Sequence, residues 1–418
     1  MPTRAVFVLI VLCNCAGVVP VVAQTPTDDN STFVFRYALK ASALISHLPD
    51  APALFPDRDG ATLFWRLRME PTVRVSDDAT VELAFEQRGR LFSSAAGVIG
   101  GGVLPMDAQA AFRIRQLDWT MSASAHSEWR AEVDRAALHL RMRMANVTIG
   151  RQAIGWGRGV LFSAVDLFAP FTPLEADREW RRGVDAIRAD IRITDRISVD
   201  GVGAFGGDMD HSIVAARLRG YAGKADVELL GGRRARDLFG GVATSAALGD
   251  VELHGEFAVF RTPGVPGSVD FAGERVVVKG LAGGSCRIPL GNGVLVYGEY
   301  HYSGFGAPSP AGILAQLADR TFQERYLRGD TQILGRHALA LVASYEWGPE
   351  LSVAGEWLQS PTDGSGVMVP SATLTYSDRV STVFSGYVPY GRAPVGSTLR
   401  SDFGAAPLAL VVQVRMYR

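Results

Sequence analysis

Cysteine, lysine, net charge and long apolar runs are all in short supply along these 418 residues. Of the three cysteines, Cys13 and Cys15 lie in the apolar N-terminal stretch, and neither follows a small residue, so a lipid-anchored cysteine is not expected. Cys286 is then alone. One thiol cannot close an internal disulfide, which excludes a disulfide-built scaffold. Lys40, Lys224 and Lys279 are the only lysines, arginine supplies the rest of the positive charge, and the formal net charge is -1. That balance excludes a chain-wide nucleic-acid role, which favours strong basicity. Past the N-terminal stretch, no apolar run reaches the roughly 18 residues that a spanning helix needs. Hydrophobic residues still make up 47% of the chain, spread in alternation and not massed.

The N-terminus has the three parts of an export signal. These are Arg4, an apolar run over 5–22 interrupted only by Asn14 and Pro20, and Val21-Val22-Ala23 before Gln24. Residues 1–23 are therefore read as a signal peptide and 24–418 as the mature chain. An exported chain with no helical span and many alternating segments is either a soluble β-protein or an outer-membrane barrel.

Residues 184–193 carry the alternation most cleanly. Asp185, Ile187, Ala189, Ile191 and Ile193 share one face, and Ala186, Arg188, Asp190 and Arg192 share the other. A strand with hydrocarbon on one side and water on the other needs this division. The rhythm recurs over 63–70, 81–90, 138–144, 213–221, 251–259, 294–302, 339–347, 351–357 and 408–417, and less clearly over 33–41 and 112–122, with further strands expected over 147–154, 197–205, 225–230, 367–377 and 380–388. Over 138–144, two arginines ride on an otherwise apolar strand. They are costly in a dry core without partners, but not in a wet lumen. The prediction is an all-β fold: a transmembrane antiparallel up-and-down β-barrel of about 16 strands, with 14–18 possible. Long loops are expected at about 91–107, 155–183 and 303–330, the last with a short helix. In a soluble sandwich the outward face would be polar, whereas here the face opposite the charges is the more apolar one.

On these faces the lumen would be lined early in the chain by Arg66, Arg68, Arg141, Arg143, Arg188, Arg192, Arg217 and Arg219. Later it would be lined by Glu252, Glu256, Glu299, Glu346 and Glu356. Sequence order maps to position around a meander barrel, so the two signs would face each other and set up a transverse field. Local pairing with Glu82, Glu86, Asp190 and Glu228 is the competing expectation. If the 155–183 loop folds inward, Asp177, Arg178, Glu179, Arg181 and Arg182 become gatekeepers at a constriction. A surface loop would instead pack on its own Phe168, Phe171 and Trp180.

Catalysis is not expected. Asp210-His211-Ser212 has hydrolase residue types, but adjacent strand residues point to opposite faces. His139, His254 and His301 have no nucleophile tied to them. The run from Gly201 to Gly206 matches a dinucleotide fingerprint as text only, since no helix pattern follows it. Asp208 and Asp210 are two carboxylates without a third calcium ligand. No cofactor or metal is predicted.

Several short motifs carry a resemblance. Gly150-Arg151-Gln152, Trp156-Gly157, Asp166-Leu167-Phe168, Pro170-Phe171, Asp177-Arg178-Glu179 and Gly183-Val184-Asp185 together resemble porin-like outer-membrane families. These form the broad group around alginate-export and related substrate-specific channels. The terminal strand resembles the signal read by the barrel-assembly machinery, with the departure that Tyr417 is penultimate and Arg418 last. The resemblance implies a bacterial outer-membrane location, with outer-membrane lipid and that machinery as partners. It implies a porin-like channel for passive or facilitated diffusion of small hydrophilic solutes, saccharides or organic anions among them. A barrel plugged by its own loops and an outer-membrane enzyme are the competing readings.

Overall fold

A computed structural model describes residues 32–93, 111–263 and 276–418. The expected signal peptide, Cys13, Cys15 and most of the 91–107 loop lie outside these described residues. The chain runs through β1 (Phe33–His47), β2 (Asp59–Ser76), β3 (Ala79–Phe92), β4 (Asp118–Ala123), β5 (Ser127–Arg141) and β6 (Ala145–Gln152). Then come β7 (Val184–Thr194), β8 (Ile197–Ala204), β9 (Ile213–Ala222), β10 (Ala225–Arg234), β11 (Asp237–Leu248), β12 (Val251–Arg261) and β13 (Val276–Ile288). The last are β14 (Val294–Ser303), β15 (His337–Glu346), β16 (Leu351–Gln359), β17 (Gly366–Ser377), β18 (Val380–Tyr390) and β19 (Leu408–Tyr417).

Neighbours in sequence pair antiparallel, and β1 also pairs with β19, from Ala38 opposite Tyr417 to His47 opposite Leu408. The wall is therefore a closed barrel with no free edge of the kind that an open sheet exposes. One strand stands apart. β3 pairs directly with β5, while β4 pairs with β5 alone, beside its first residues. Eighteen strands close the barrel, not about sixteen, which is the top of the expected 14–18 range.

Two strands escaped the alternation reading, β11 and β13, and both are rich in small residues. Gly241 and Gly283 sit on their inward faces. A Cβ on Gly241 would meet the Phe257 carbonyl at 2.8 Å and Val165 at 3.4 Å, and one on Gly283 would meet His254 at 2.6 Å. Side chains have been given up there to make room for what lies inside, and the pattern weakens with them. The strand expected over 138–144 ends at Arg141, so Arg143 lies in the exposed turn before Ala145 and not on the wall. The strand expected over 112–122 is cut short because Phe112 and Leu117 take left-handed conformations (φ 56° and 50°). Residues 112–117 cross the end of β6 instead. There the Arg151 guanidinium donates to the carbonyl oxygens of Gln116 (2.7 Å), Val133 (2.9 Å) and Arg115.

Connections alternate in length. One end of the barrel carries turns such as Gly223-Lys224 and Gly249-Asp250, where both glycines take left-handed φ values near 65°. The other end carries the 153–183 connection and the 304–336 connection, which holds α1 (Ile313–Ala318) and α2 (Arg320–Leu327). Outward side chains such as Ile45, Leu229 and Leu408 are more than half exposed, in a belt of Leu, Ile, Val and Trp around the wall. A soluble monomer rarely leaves so much contiguous apolar surface uncovered, whereas hydrocarbon covers it in a membrane. The buried core sits inside the barrel. Trp156, Val165, Leu167 and Phe168 of the 153–183 connection pack with Phe305 and Phe322 of the 304–336 connection against the β7–β13 wall.

Candidate functional site

The 153–183 connection enters the lumen and follows the wall around it. Trp156 Nε1 donates to Asp200 on β8 (3.2 Å), and Arg158 pairs with Glu228 on β10 (2.8 Å). Glu256 on β12 then takes the backbone N–H groups of Arg158, Gly159 (2.9 Å), Ala164 (2.6 Å) and Val165 (3.2 Å), plus the Ser163 hydroxyl (2.8 Å). Glu299 on β14 accepts from the N–H groups of Val160 (2.8 Å), Leu161 (3.1 Å) and Phe162 (3.1 Å). On the return, Arg178 pairs with Glu356 on β16 (3.0 Å), and Glu179 takes the Tyr417 hydroxyl of β19 (2.7 Å). Lys40 on β1 meets Asp177 (2.6 Å) and Glu179 (2.5 Å), and its ammonium lies 3.8 Å from the Trp180 ring centre. Arg135 on β5 donates to the Arg181 carbonyl, and the Gly183 N–H reaches Asp134 (2.9 Å). The connection is an inner hoop, with the Arg181–Asp166 ion pair as a chord across it.

Burial and neighbouring cations compete at the hoop carboxyls, with opposite outcomes at Asp166 and Asp177. Asp166 is pushed up by burial, which Arg181 only partly offsets. Burial also pushes Asp177 up, but Lys40 and Arg66 outweigh it and hold the carboxyl below its ordinary value. The second lumen connection is locked to the first. Gln332 accepts the Ser163 N–H (2.7 Å) and donates to the Phe171 carbonyl (2.9 Å). Arg325 and Arg328 meet Asp330 at 3.2 and 2.6 Å.

The wall residues named from sequence sort into three groups. Arg66 pairs with Glu86 (2.7 Å), and Arg68 with Glu70 (2.6 Å), Glu86 (3.2 Å) and Asp134 (2.7 Å). Arg188 and Arg217 share Asp200 (2.9 Å each), Arg217 also takes Glu228 (3.0 Å), and Arg219 pairs with Asp190. These arginines are neutralised by acids of the same wall sector. Glu256, Glu299 and Glu356 form the second group, spent on the hoop. The third group lies at the turn end, where, among the described residues, Arg141, Arg143 and Arg192 make no ion pair on one side and Glu252 and Glu346 make none on the other. A field across the whole lumen is therefore not what this geometry builds. The sequence reasoning missed the anchoring role of Glu256 and Glu299. A signal for it was present: the 155–165 stretch is rich in Gly and apolar residues and has few side chains of its own to accept from its N–H groups.

Two spaces remain. A recess of about 500 Å³ opens at the turn end under Arg158, between Arg192, Arg217, Arg219 and Glu228. A cavity of about 130 Å³ lies between the β2–β3–β5 wall, the hoop at 168–182 and the 326–332 stretch. Arg182 lines this cavity. Among the described residues no group of His, Cys, Asp and Glu is arranged to hold a metal ion.

No family model matches the chain, and no curated protein matches it. Solved structures do resemble it. OccAB4 of Acinetobacter baumannii aligns over 94% of this chain and 100% of its own, with a TM-score of 0.54 at 9% identity. OccK9 (OpdG) of Pseudomonas aeruginosa aligns over 92% and 98%, with a TM-score of 0.52 at 10% identity. The chain has a porin-like β-barrel fold. A BenF-like porin from Pseudomonas fluorescens Pf-5 gives the same TM-score of 0.52 at 9% identity, over 92% of this chain and 98% of that one. At these identities the likeness speaks for the porin-like fold alone.

Proposed function

We propose that the chain is a channel of the bacterial outer membrane, through which small hydrophilic solutes diffuse past the inner hoop. The observation that carries this reading is a closed barrel, apolar outside, whose lumen holds a wall-anchored hoop and, beside it, two spaces that charged side chains line. Outer-membrane lipid covers the belt, and the barrel-assembly machinery inserts the chain through its terminal strand. The activity is passive or facilitated passage and not catalysis. At the turn end, Arg141, Arg143 and Arg192, which make no ion pair among the described residues, lie across the barrel from Glu252 and Glu346 and set a transverse field confined to that mouth. Planar-bilayer recording tests both parts. Purified protein is expected to insert as ion-conducting steps, and neutralising Arg141 and Arg143 together is expected to shift ion selectivity toward cations.

The plugged-barrel reading has one observation in its favour, the apolar core that two connections build within the β7–β13 sector. Liposome swelling separates the two. A channel admits small sugars, and a plugged barrel admits none.

A further inference from the structure

The cavity beside β2, β3 and β5 differs from the turn-end mouth in its charge. The described residues around it carry as many arginines as acids, four of each. Most are already matched. Arg66 holds Glu86 at 2.7 Å, Arg88 holds Glu132, and Asp134 lies between Arg68 (2.7 Å) and Arg113 (3.1 Å). An entering anion would have to break these pairs or add uncompensated charge to a half-enclosed site, and an entering cation meets the same obstacle with the sign reversed.

One lining acid stands outside the pairing. Glu175 makes no ion pair among the described residues, and its carboxyl accepts from Thr172, through a long bond from the hydroxyl (3.4 Å) and through the backbone N–H. Arg182 is close enough to act on it electrostatically without an ion pair between them. Burial raises the Glu175 carboxyl, and the Arg182 charge only partly offsets this. A carboxyl that lines the cavity outside the ion-pair network suits hydroxyl groups, which donate to it without bringing a charge of their own. The remaining lining supplies aromatic faces at Phe171 and Tyr326, against which the C–H face of a ring can lie.

We propose that this cavity is a binding station for uncharged polyhydroxylated solutes of monosaccharide size, with Glu175 as the specificity-determining acceptor. The proposal rests on the channel reading above and names the solute class that the channel selects.

The test uses the full-length barrel in planar bilayers and three solutes of one size and different charge: glucose, gluconate and protonated glucosamine. Glucose is expected to reduce the ion current at concentrations about tenfold lower than either charged analogue, the weight of roughly one hydrogen bond kept or lost. Glu175→Ala is expected to raise the glucose concentration for half-reduction by about tenfold, and Glu175→Gln, which keeps an acceptor oxygen, by about threefold. The wild-type ranking stands without any variant, so a poorly inserting mutant does not rescue the proposal. Tighter binding of gluconate than of glucose overturns it, as does a glucose response that Glu175→Ala leaves unmoved. Ion current that no sugar alters also overturns it while leaving the channel reading in place. Absence of any ion current removes the channel reading itself, and the station with it.

Discussion

Replacing Glu256 with alanine should release the hoop without opening the barrel. The carboxylate is 4% exposed and gathers four backbone N–H groups and one hydroxyl, all from residues 158–165. Ser163, Ala164 and Val165 are all buried, so water cannot replace the lost acceptor for those donors. A buried donor left unsatisfied costs about 1–3 kcal/mol. Three of them would cost roughly 3–9 kcal/mol, set against the several kcal/mol regained by no longer desolvating a carboxylate. The expected net loosening is taken as about 3–5 kcal/mol, the range measured when one partner of a buried ionic site is removed. At about 1.4 kcal/mol per factor of ten, this shifts the seated-to-unseated ratio of the hoop by roughly two to three and a half orders of magnitude. The strand ladders are untouched, so the barrel still closes. Single-channel recording should show a larger conductance or frequent transitions between two levels. Glu256→Gln, which trades one acceptor oxygen for a donor, should fall between wild type and alanine. If Glu256→Ala conducts at the wild-type level with no added transitions, the hoop is not held by this carboxylate and the reasoning fails. Glu299 anchors the adjacent residues 160–162. The double variant should therefore depart from the sum of the single effects.

Acid should loosen the other side of the hoop. Asp177 is held below its ordinary value of 3.8, so its stabilising contribution is present above that value and is lost as pH falls through the lowered pKa. Asp166 is raised above 3.8, so its contribution has the opposite sign, full below 3.8 and lost as pH rises through the raised value. Asp177→Asn is expected to abolish the acid-side change in open-channel noise, and an unaltered acid response would refute this assignment. Gly157 takes a left-handed conformation (φ 113°), and a Cβ there would lie 2.4 Å from Ser163 Oγ and 2.9 Å from Glu256 Oε1. Gly157→Ala should cost about 1–3 kcal/mol locally and resemble a mild Glu256→Ala in conductance. Arg151→Lys keeps the charge but cannot span the carbonyls of Arg115, Gln116 and Val133 together. It should lower the thermal unfolding temperature of the detergent-solubilised barrel more than Arg141→Lys does.

Legibility in the sequence followed the side chains. Where a strand carries large residues on its outer face and ions on its inner face, as β7 does, alternation alone places both faces. β11 and β13 were hidden because their inner positions hold Gly241, Ala243 and Gly283, small enough for the hoop and His254 to approach. Alternation gives the face of a residue but not its partner. Arg217 and Glu256 both read as wall charges, yet one is neutralised by Asp200 and Glu228 on adjacent strands and the other is spent on backbone N–H groups. The extra strand β4 was obscured for a different reason. Its neighbours Phe112 and Leu117 adopt conformations that non-glycine residues seldom take, and tertiary contacts hold that path in place, among them Arg151 to the Gln116 carbonyl, Arg113 to the Gly183 carbonyl and the Ile114 N–H to Asp185.

The signs of the lumen charges follow from one constraint. In a closed barrel the wall's backbone N–H and C=O groups are committed to the strand ladders, so a segment lying against the inside of the wall finds its partners almost entirely in side chains. A hoop short of polar side chains then needs two kinds of wall residue, acceptors for its N–H groups and donors for its carbonyls. Glu256 and Glu299 are the acceptors. Arg234 on β10 is a donor, reaching the Leu167 carbonyl at 2.8 Å, and Arg135 on β5 is another, reaching the carbonyl of Arg181. Arg113, just before β4, bonds the Gly183 carbonyl at 2.7 Å in the same way. Guanidinium groups suit the second task because one fork reaches a carbonyl and a carboxylate at once, as Arg113 does with Gly183 and Asp134. Acids and arginines are thus recruited in similar numbers by the same buried segment, and the lumen interior ends near charge balance. The excess of either sign is left at the turn-end mouth, where there is no hoop to satisfy.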